Sequence, residues 1–350
     1  MPLDAHTATM VSRREDTQEE AAAVSAPCAN LPEIVPSLPL EIRCPPFPLR
    51  QYCGFWLSEV TLKRGLPAMC ACFEPRPTDV FLASFPKSGT TWLKALSFAT
   101  LNRVKYPPLD SDHPLRNHNP HDCVRSIEVE FSLVNDINSL REEFEVLASP
   151  RIFSTHVPYS LLPDRFKEES RIVYICRDPK DAMVSSWFFT KKAAPAVGVD
   201  AQSHTFQEAL ELFCEGRSMA GPQWKHALQY WEESVRSPNK VLFLRYEEML
   251  LDPKSNLKKL ANFMGCGFTQ EEDEKGVTDA IVELCSLNKL KKMEVNKDGS
   301  NKVNVRNESY FRNGVAGDWR NHMTPEMAMR LDKIVEDALQ GSGFTFSSSA

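Results

Sequence analysis

Lys87 and Gly89 sit within Phe85-Pro86-Lys87-Ser88-Gly89-Thr90-Thr91-Trp92, the segment with the strongest chemical signal in the chain. An apolar run, Asp79 to Ser84 (DVFLAS), precedes it, and a helical pattern, Thr90 to Leu101 (TTWLKALSFATL), follows it. A strand-to-helix turn of this kind aims free backbone N–H groups, and the positive end of the helix dipole, at whatever lies above it. Gly89 permits close backbone approach. Ser88, Thr90 and Thr91 add hydroxyl donors, and Lys87 adds a full positive charge. Together they form a cradle for an anion. The GxxxxGK[ST] pattern of nucleoside-triphosphate loops is absent, because Lys87 precedes the glycine instead of following it. No Asp is placed to hold magnesium, which argues against a kinase or an ATPase. Taken alone, the segment would also suit a tight turn ahead of a capped helix.

Two further places carry reactive groups. Arg177 directly follows an apolar run, Arg171 to Cys176 (RIVYIC), and Ser185 lies eight positions on, inside the next helical stretch. A guanidinium can grip a phosphate with two hydrogen bonds, and a hydroxyl can add a third. A pair of Arg177 with Asp178 or Asp181, beside a helix-interior serine, would account for the same residues. His156 stands near the end of a second apolar run, Arg151 to Val157 (RIFSTHV). Ligands collect at strand ends in open parallel sheets. An imidazole of pKa near 6.5 suits a base for a hydroxyl at neutral pH. A lone histidine at a strand end is also a common structural residue. Arg312-Asn313-Gly314 reads by itself as an ordinary turn.

Pro86 to Lys94 (PKSGTTWLK) resembles the 5′-phosphosulfate-binding loop of the cytosolic sulfotransferases, and of their plant branch in particular. The likeness continues in family order through Tyr174 to Ser186 (YICRDPKDAMVSS), Arg245 to Met249 (RYEEM) and Phe311 to Gly314 (FRNG). It spans about Gly54 to Gly343. The resemblance implies an enzyme of EC class 2.8.2. Such an enzyme moves a sulfuryl group from 3′-phosphoadenosine 5′-phosphosulfate (PAPS) to a hydroxyl of a small organic acceptor. It leaves 3′-phosphoadenosine 5′-phosphate (PAP) and needs no metal.

The resemblance also implies roles. Lys87, Ser88, Gly89, Thr90 and Thr91 would hold the phosphosulfate. Arg177, Ser185, Arg312, Asn313 and Gly314 would hold the 3′-phosphate. Trp92 would stack on the adenine, with Tyr246 and Leu287 beside it. His156 would take the acceptor's proton, a contribution of roughly 10²- to 10⁴-fold. Lys87 would stabilise the departing oxygen, worth on the order of 3 kcal/mol in a dry site. Ser88 would restrain Lys87 until acceptor arrives. Departures from the animal pattern are visible. Ser154 stands where animal members carry a lysine two residues before the histidine. Cys285-Ser286-Leu287 replaces Thr-Ser-Phe, giving up a stacking ring. Arg320 and Thr324 fit the animal dimer motif loosely, and Pro325 and Met329 break it. A monomer or weak homodimer is expected.

These groups need a scaffold that brings strand ends together. Lys240 to Tyr246 (KVLFLRY) is a fourth apolar run. Helical patterns cover Asp181 to Lys191, Thr205 to Glu215, Pro222 to Val235 and Ser255 to Met264. Continuous apolar strands separated by helices imply a parallel sheet covered on both faces. The expected architecture is therefore a single α/β domain over residues 46–345, with a P-loop-like phosphosulfate-binding loop. Residues 1–45, rich in Ala and Pro, are expected to form a disordered tail. Glu294 to Gly317 lacks periodicity and reads as a long functional loop.

Composition narrows the function classes. Of 350 residues, 42% are hydrophobic, enough for a large core. A net charge of −6 disfavours a nucleic-acid binder, whose affinity rests on many cationic contacts. No apolar stretch reaches the roughly 18 residues that a membrane span needs. Asp4, Glu15, Asp16, Glu19 and Glu20 argue against a transit peptide. Ten scattered cysteines without a CxxC pair suit reduced thiols in the cytoplasm. Phe85, His156, Trp187, Phe188, Tyr310 and Phe311 are the expected acceptor walls, apolar enough for a phenol, flavonoid, steroid or oxidised fatty-acid hormone.

Overall fold

The computed structural model describes residues 30–200, 204–302 and 304–346. Its centre is a parallel sheet of β4 (Val80–Ser84), β5 (Ile152–Thr155), β6 (Arg171–Cys176) and β7 (Val241–Arg245), in the order β5-β4-β6-β7. A smaller antiparallel sheet joins β1 (Leu40–Glu41), β2 (Leu49–Tyr52) and β3 (Phe55–Ser58).

Every residue of β4 is buried, because helices cover both faces. Side chains alternate between the faces along a strand. Val80 and Leu82 pack with Leu93 and Leu96 of α1 (Thr90–Leu101). Phe81 joins Phe73, Phe153 and Phe166 on the opposite face, with ring centroids 4.8–5.9 Å apart. Such ring pairs add about 0.5–1.5 kcal/mol each beyond their buried area. Tyr174 of β6 stacks on Tyr230 of α3 (Gln223–Arg236) at 4.3 Å, and α2 (Pro179–Ala193) falls between β6 and α3 in the sequence.

The parallel register sets the level of the strand ends. Ala83 pairs with Thr155, Ser84 with Ile175, and Cys176 with Arg245. The four strands thus end at one edge. The chain leaves β4 for β5 on one side and then crosses to β6 on the other. That reversal opens a crevice at the carboxyl end of β4.

Most expected elements lie within two residues of their predicted bounds. Tyr246 opens a helix, Tyr246–Leu251, instead of closing β7. The stretch from Glu294 to Gly317 contains a helix, Glu294–Asp298, and a 3-10 turn, Asn307–Tyr310. Polar contacts order it, which is why no apolar period announced it. Asn296 is buried, accepting from Asn119 at 2.8 Å and donating to the Leu290 carbonyl at 2.9 Å.

The expected tail needs correction over residues 30–45; residues 1–29 lie outside the described ones. Leu31–Ile34 is helical, Val35–Ser37 is a 3-10 turn, and Leu40–Glu41 is β1. Pro32 and Pro36 sit in first turns, where a missing N–H costs nothing. Leu31 and Val35 join the main core at 2% and 0% exposure. Replacing both, Leu31→Ala with Val35→Ala, should lower the unfolding free energy by roughly 3–6 kcal/mol in urea titration. A change below 1 kcal/mol would mean that this segment is a tail after all.

Candidate active site

Each strand of the parallel sheet delivers one of the expected site residues at its carboxyl end. The Phe85–Thr91 loop follows β4, His156 follows β5, Arg177 follows β6 and Tyr246 follows β7. All of them except Phe85 and Ser88 line one cavity of about 1000 Å³, together with Trp92, Ser185, Leu287, Arg312, Asn313 and Gly314. That volume has room for two small ligands side by side.

The loop backbone is shaped for an anion. Lys87 has φ +67°, a left-handed conformation that a side chain-bearing residue pays about 1–2 kcal/mol to hold. It throws the lysine side chain into the cavity. Gly89 has φ +111°, and a Cβ there would lie 2.7 Å from Tyr246 and 3.1 Å from Ile175. No side chain caps α1, so its first N–H groups remain free to donate. Ser84 Oγ and Thr90 Oγ1 bond beneath them at 2.6 Å. Ser88 is fully buried, its Oγ has no partner, and it stands off the cavity wall. The ammonium of Lys87 instead lies 4.0 Å above the Phe189 ring and 5.7 Å from that of Tyr310. Aromatic faces attract cations, so these two rings hold Lys87 where Ser88 was expected to.

Around the loop the cations gather. Arg177 donates to the carbonyls of Lys87 at 3.3 Å and Val315 at 3.0 Å. Its guanidinium lies 4.6 Å over the Tyr246 ring. Arg312 pairs with Asp318 and lies 5.3 Å over Phe188. Both guanidinium Nε atoms are buried without an acceptor. Both residues also line the cavity, where an oxyanion would accept from their guanidinium groups. Asp181 is no surface partner for Arg177, which it approaches at 3.8 Å. It is fully buried and accepts from the N–H groups of Gly317 at 2.6 Å and Trp319 at 2.9 Å. It thereby ties the segment after Arg312 to α2. Burial pulls the Lys87 ammonium down to about 7, and Arg177, Arg312 and Lys192 push in the same direction.

His156 is held at three points. Its Nδ1 lies 2.7 Å from the Ser84 carbonyl, which can only accept, so Nδ1 carries the ring proton and Nε2 keeps its lone pair. Its backbone N–H donates to Glu128 at 2.8 Å. Its carbonyl accepts from His226 at 3.1 Å, and Tyr174 donates to the other nitrogen of His226 at 2.9 Å. Burial lowers the pKa of His156, with Glu128 opposing that shift. The ring is therefore neutral at pH 7.

Edge-to-face rings of Trp92 and Tyr246, 5.7 Å apart, wall the far end of the cavity, with Leu287 beside Gly314. His156, Phe188, Phe189, Tyr310, Glu128 and Phe47 line the same cavity. Two expected walls are elsewhere. Phe85 is buried against Phe213 and His226. Trp187 donates to the His204 carbonyl and faces a separate small crevice. Phe189, Glu128, His121 and Lys192 escaped the sequence reading. Phe189 stood one residue beyond the expected pair Trp187 and Phe188. The other three belong to no recognised spacing.

A sequence profile of the sulfotransferase domain matches residues 77–343. Arabidopsis thaliana cytosolic sulfotransferase 5 is 44% identical over 298 residues, 85% of this chain and 90% of that protein. Arabidopsis thaliana cytosolic sulfotransferase 10 is 43% identical, over 89% of this chain and 93% of that protein. A crystal structure of an Arabidopsis thaliana protein, provisionally assigned as a steroid sulphotransferase, superposes with a TM-score of 0.68 at 35% identity. It covers 90% of this chain and 94% of that one. Mouse sulfotransferase SULT7A1 complexed with PAP gives 0.63 at 26% identity, covering 84% and 95%.

The lowered pKa of Lys87 has a consequence for stability. The unfolded lysine binds its proton more tightly than the folded one, so folding is opposed. The cost is fully present below the folded value of about 7 and disappears as pH rises to the unfolded value near 10.5. Water in the cavity offsets part of it, leaving about 1–2 kcal/mol. Lys87→Met should therefore raise the melting temperature of the ligand-free protein at pH 7 by a few degrees, and less at pH 10. A lower melting temperature for the variant at pH 7 would contradict the account.

Proposed function

The chain belongs to the plant cytosolic sulfotransferase family and is a PAPS-dependent sulfotransferase; on that premise we propose that it sulfates a hydroxyl of a small, largely apolar acceptor with His156 as the base. The observation that carries this reading is the tautomer of His156. The Ser84 carbonyl accepts a hydrogen bond from Nδ1–H, which leaves Nε2 as the free base of a residue on the cavity wall. Neutral at pH 7, it is ready to accept a proton.

The division of the cavity follows from the side chains. Arg177, Arg312, Ser185 and Asn313 would grip the 3′-phosphate, since two of them bring guanidinium groups to one cavity wall. Trp92, Tyr246 and Leu287 would enclose the adenine, stacking on one face only. The Lys87–Thr91 loop would face the phosphosulfate at the N-terminus of α1. In transfer the acceptor oxygen forms a bond to sulfur as the bond from sulfur to the phosphate oxygen breaks. His156 Nε2 takes the acceptor's proton, and the electron pair stays with the phosphate of PAP. Lys87 and the first N–H groups of α1 would stabilise that charge, a kind of contact worth about 3 kcal/mol.

Phe188, Phe189, Tyr310 and Phe47 give the acceptor end aromatic walls. Such walls suit a phenol, a flavonoid or a steroid, and the structural relative assigned to steroids points the same way. A cytoplasmic location accords with relatives named cytosolic.

PAP should raise the melting temperature, by the equivalent of about 2.7 kcal/mol at 100 times its Kd. ATP with magnesium should not, and Arg177→Ala should lose the response to PAP. His156→Ala should keep that response while turnover of an accepted acceptor falls roughly 10²- to 10⁴-fold. Parental turnover in the His156 variant would place the base elsewhere. A shift with ATP and magnesium alone would overturn the donor assignment.

A further inference from the structure

Behind the phosphosulfate loop lies a chain of polar side chains to which none of the roles above assigns a task. Lys94 is on α1, one turn after Thr91, and is fully buried. Its Nζ lies 3.0 Å from Nδ1 of His121 and 3.2 Å from Ser126 Oγ. Nε2 of His121 lies 2.9 Å from Thr91 Oγ1. Ser126 Oγ lies 2.9 Å from Ser154 Oγ, which reaches the Arg125 carbonyl at 3.4 Å.

As an ammonium, the form that burial opposes and that Glu128, Glu130 and Asp122 favour, Lys94 has three donors and no acceptor, and it then fixes the proton of every group it touches. Nδ1 of His121 must accept, which leaves the ring proton on Nε2. That proton goes to Thr91 Oγ1. The hydroxyl proton of Thr91 is then directed away from His121, and both residues line the cavity beside Lys87. The tilt of His121 is set from its other side by Tyr310, whose ring centroid is 4.1 Å away.

We propose that Lys94 is a positioning residue: through His121 it fixes the Thr91 hydroxyl as a hydrogen-bond donor to the phosphosulfate group. The inference rests on the phosphosulfate reading of the loop. Packing alone does not explain a lysine here. Leu93, Ala95, Leu96 and Ala99 pack the buried side of α1, and its other buried polar residues, Thr90, Ser97 and Thr100, are small and uncharged. Both hydrogen-bond acceptors of Lys94 are neutral, and burial draws its ammonium down to about 7. A methionine would fill the same space without desolvating a charge. What the lysine adds is an unambiguous direction for the hydrogen bonds that end at Thr91.

A double-mutant cycle tests this, with Lys94→Met and Thr91→Val made singly and together. The readouts are the Kd of PAPS, taken by titration without acceptor, and kcat/KM for PAPS and for acceptor. Each single change should lower kcat/KM for PAPS by about 10-fold or more, the scale of one hydrogen bond to a charged group. The acceptor KM should stay within about twofold. The double variant should be no worse than the poorer single one. His121→Phe keeps a ring against Tyr310 but removes both nitrogens, and it should give the same non-additive result with Thr91→Val. It serves if Lys94→Met does not fold, as judged by circular dichroism. Thr91→Ser, which retains the hydroxyl, should bind PAPS more tightly than Thr91→Val. Losses that multiply in the double variants, with PAPS bound normally by the parent, overturn the inference alone. A parent that binds neither PAPS nor PAP removes the reading of the loop, and the inference with it.

Discussion

Four cations, Lys87, Arg177, Lys192 and Arg312, converge on one cavity, and their mutual repulsion is the constraint that the surrounding structure must meet. Each of three is held by a different device. Arg312 has a carboxylate, Asp318, whose own pKa falls to about 2 under that pairing, against the pull of burial. Arg177 has two backbone carbonyls and the face of Tyr246. Among the described residues, Lys87 has only aromatic faces. The order matters for chemistry. In the proposed transfer the group that would stand nearest the breaking bond, Lys87, has the weakest hold, because a ring face competes less with an incoming anion than a carboxylate would. Carboxylates sit where charge must be fixed, and rings sit where it must remain available.

The same logic explains why Asp181 is turned away from the cations. It is buried and within 4 Å of Arg177, yet its oxygens are occupied by the main-chain N–H groups of Gly317 and Trp319. A carboxylate paired fully to Arg177 would cancel the charge that an anion needs. Spent on backbone, it anchors the Arg312 segment to α2 and brings two guanidinium groups from distant parts of the chain into one wall. The sheet does the rest. Its parallel register levels four strand ends, so Lys87, His156, Arg177 and Tyr246 share an edge although they span 160 residues of sequence.

Residues whose meaning is local were legible in the sequence. Lys87, Gly89 and Thr90 announce an anion loop because a strand, a glycine and a helix start lie within a few positions. The four apolar runs announced the sheet for the same reason. Meaning that arises through space was not legible. Glu128 supports His156 across 28 residues, and Lys94 meets His121 across 27. Neither spacing is a pattern in one chain. Leu31 and Val35 were hidden differently. Prolines beside them counted against structure, though Pro32 and Pro36 fall in first turns, where proline is tolerated. Phe85 and Trp187 were aromatic and near the site, but proximity in sequence did not tell which face they would take.

Ser154 shows how a departure in sequence can be met by a residue on another element. The position carries no cation, yet a buried ammonium reaches it through one intervening hydroxyl, Lys94 to Ser126 to Ser154. In this chain the charge stands on the helix that bears the anion loop, and the strand that bears His156 carries a serine. On the strand, a cation two residues from the base would act on the base and the sulfuryl group together. On α1 it is separated from the cavity by His121 and acts by orienting a hydroxyl. A flexible lysine in direct contact supplies charge, whereas a buried one behind a ring supplies direction. The second costs desolvation but loses little when ligand binds, since its partners are already in place. The edge of this sheet therefore combines two kinds of cation. In the proposed mechanism Lys87, held loosely, would meet developing charge, and Lys94 is held firmly so that its neighbours need not search for their orientation.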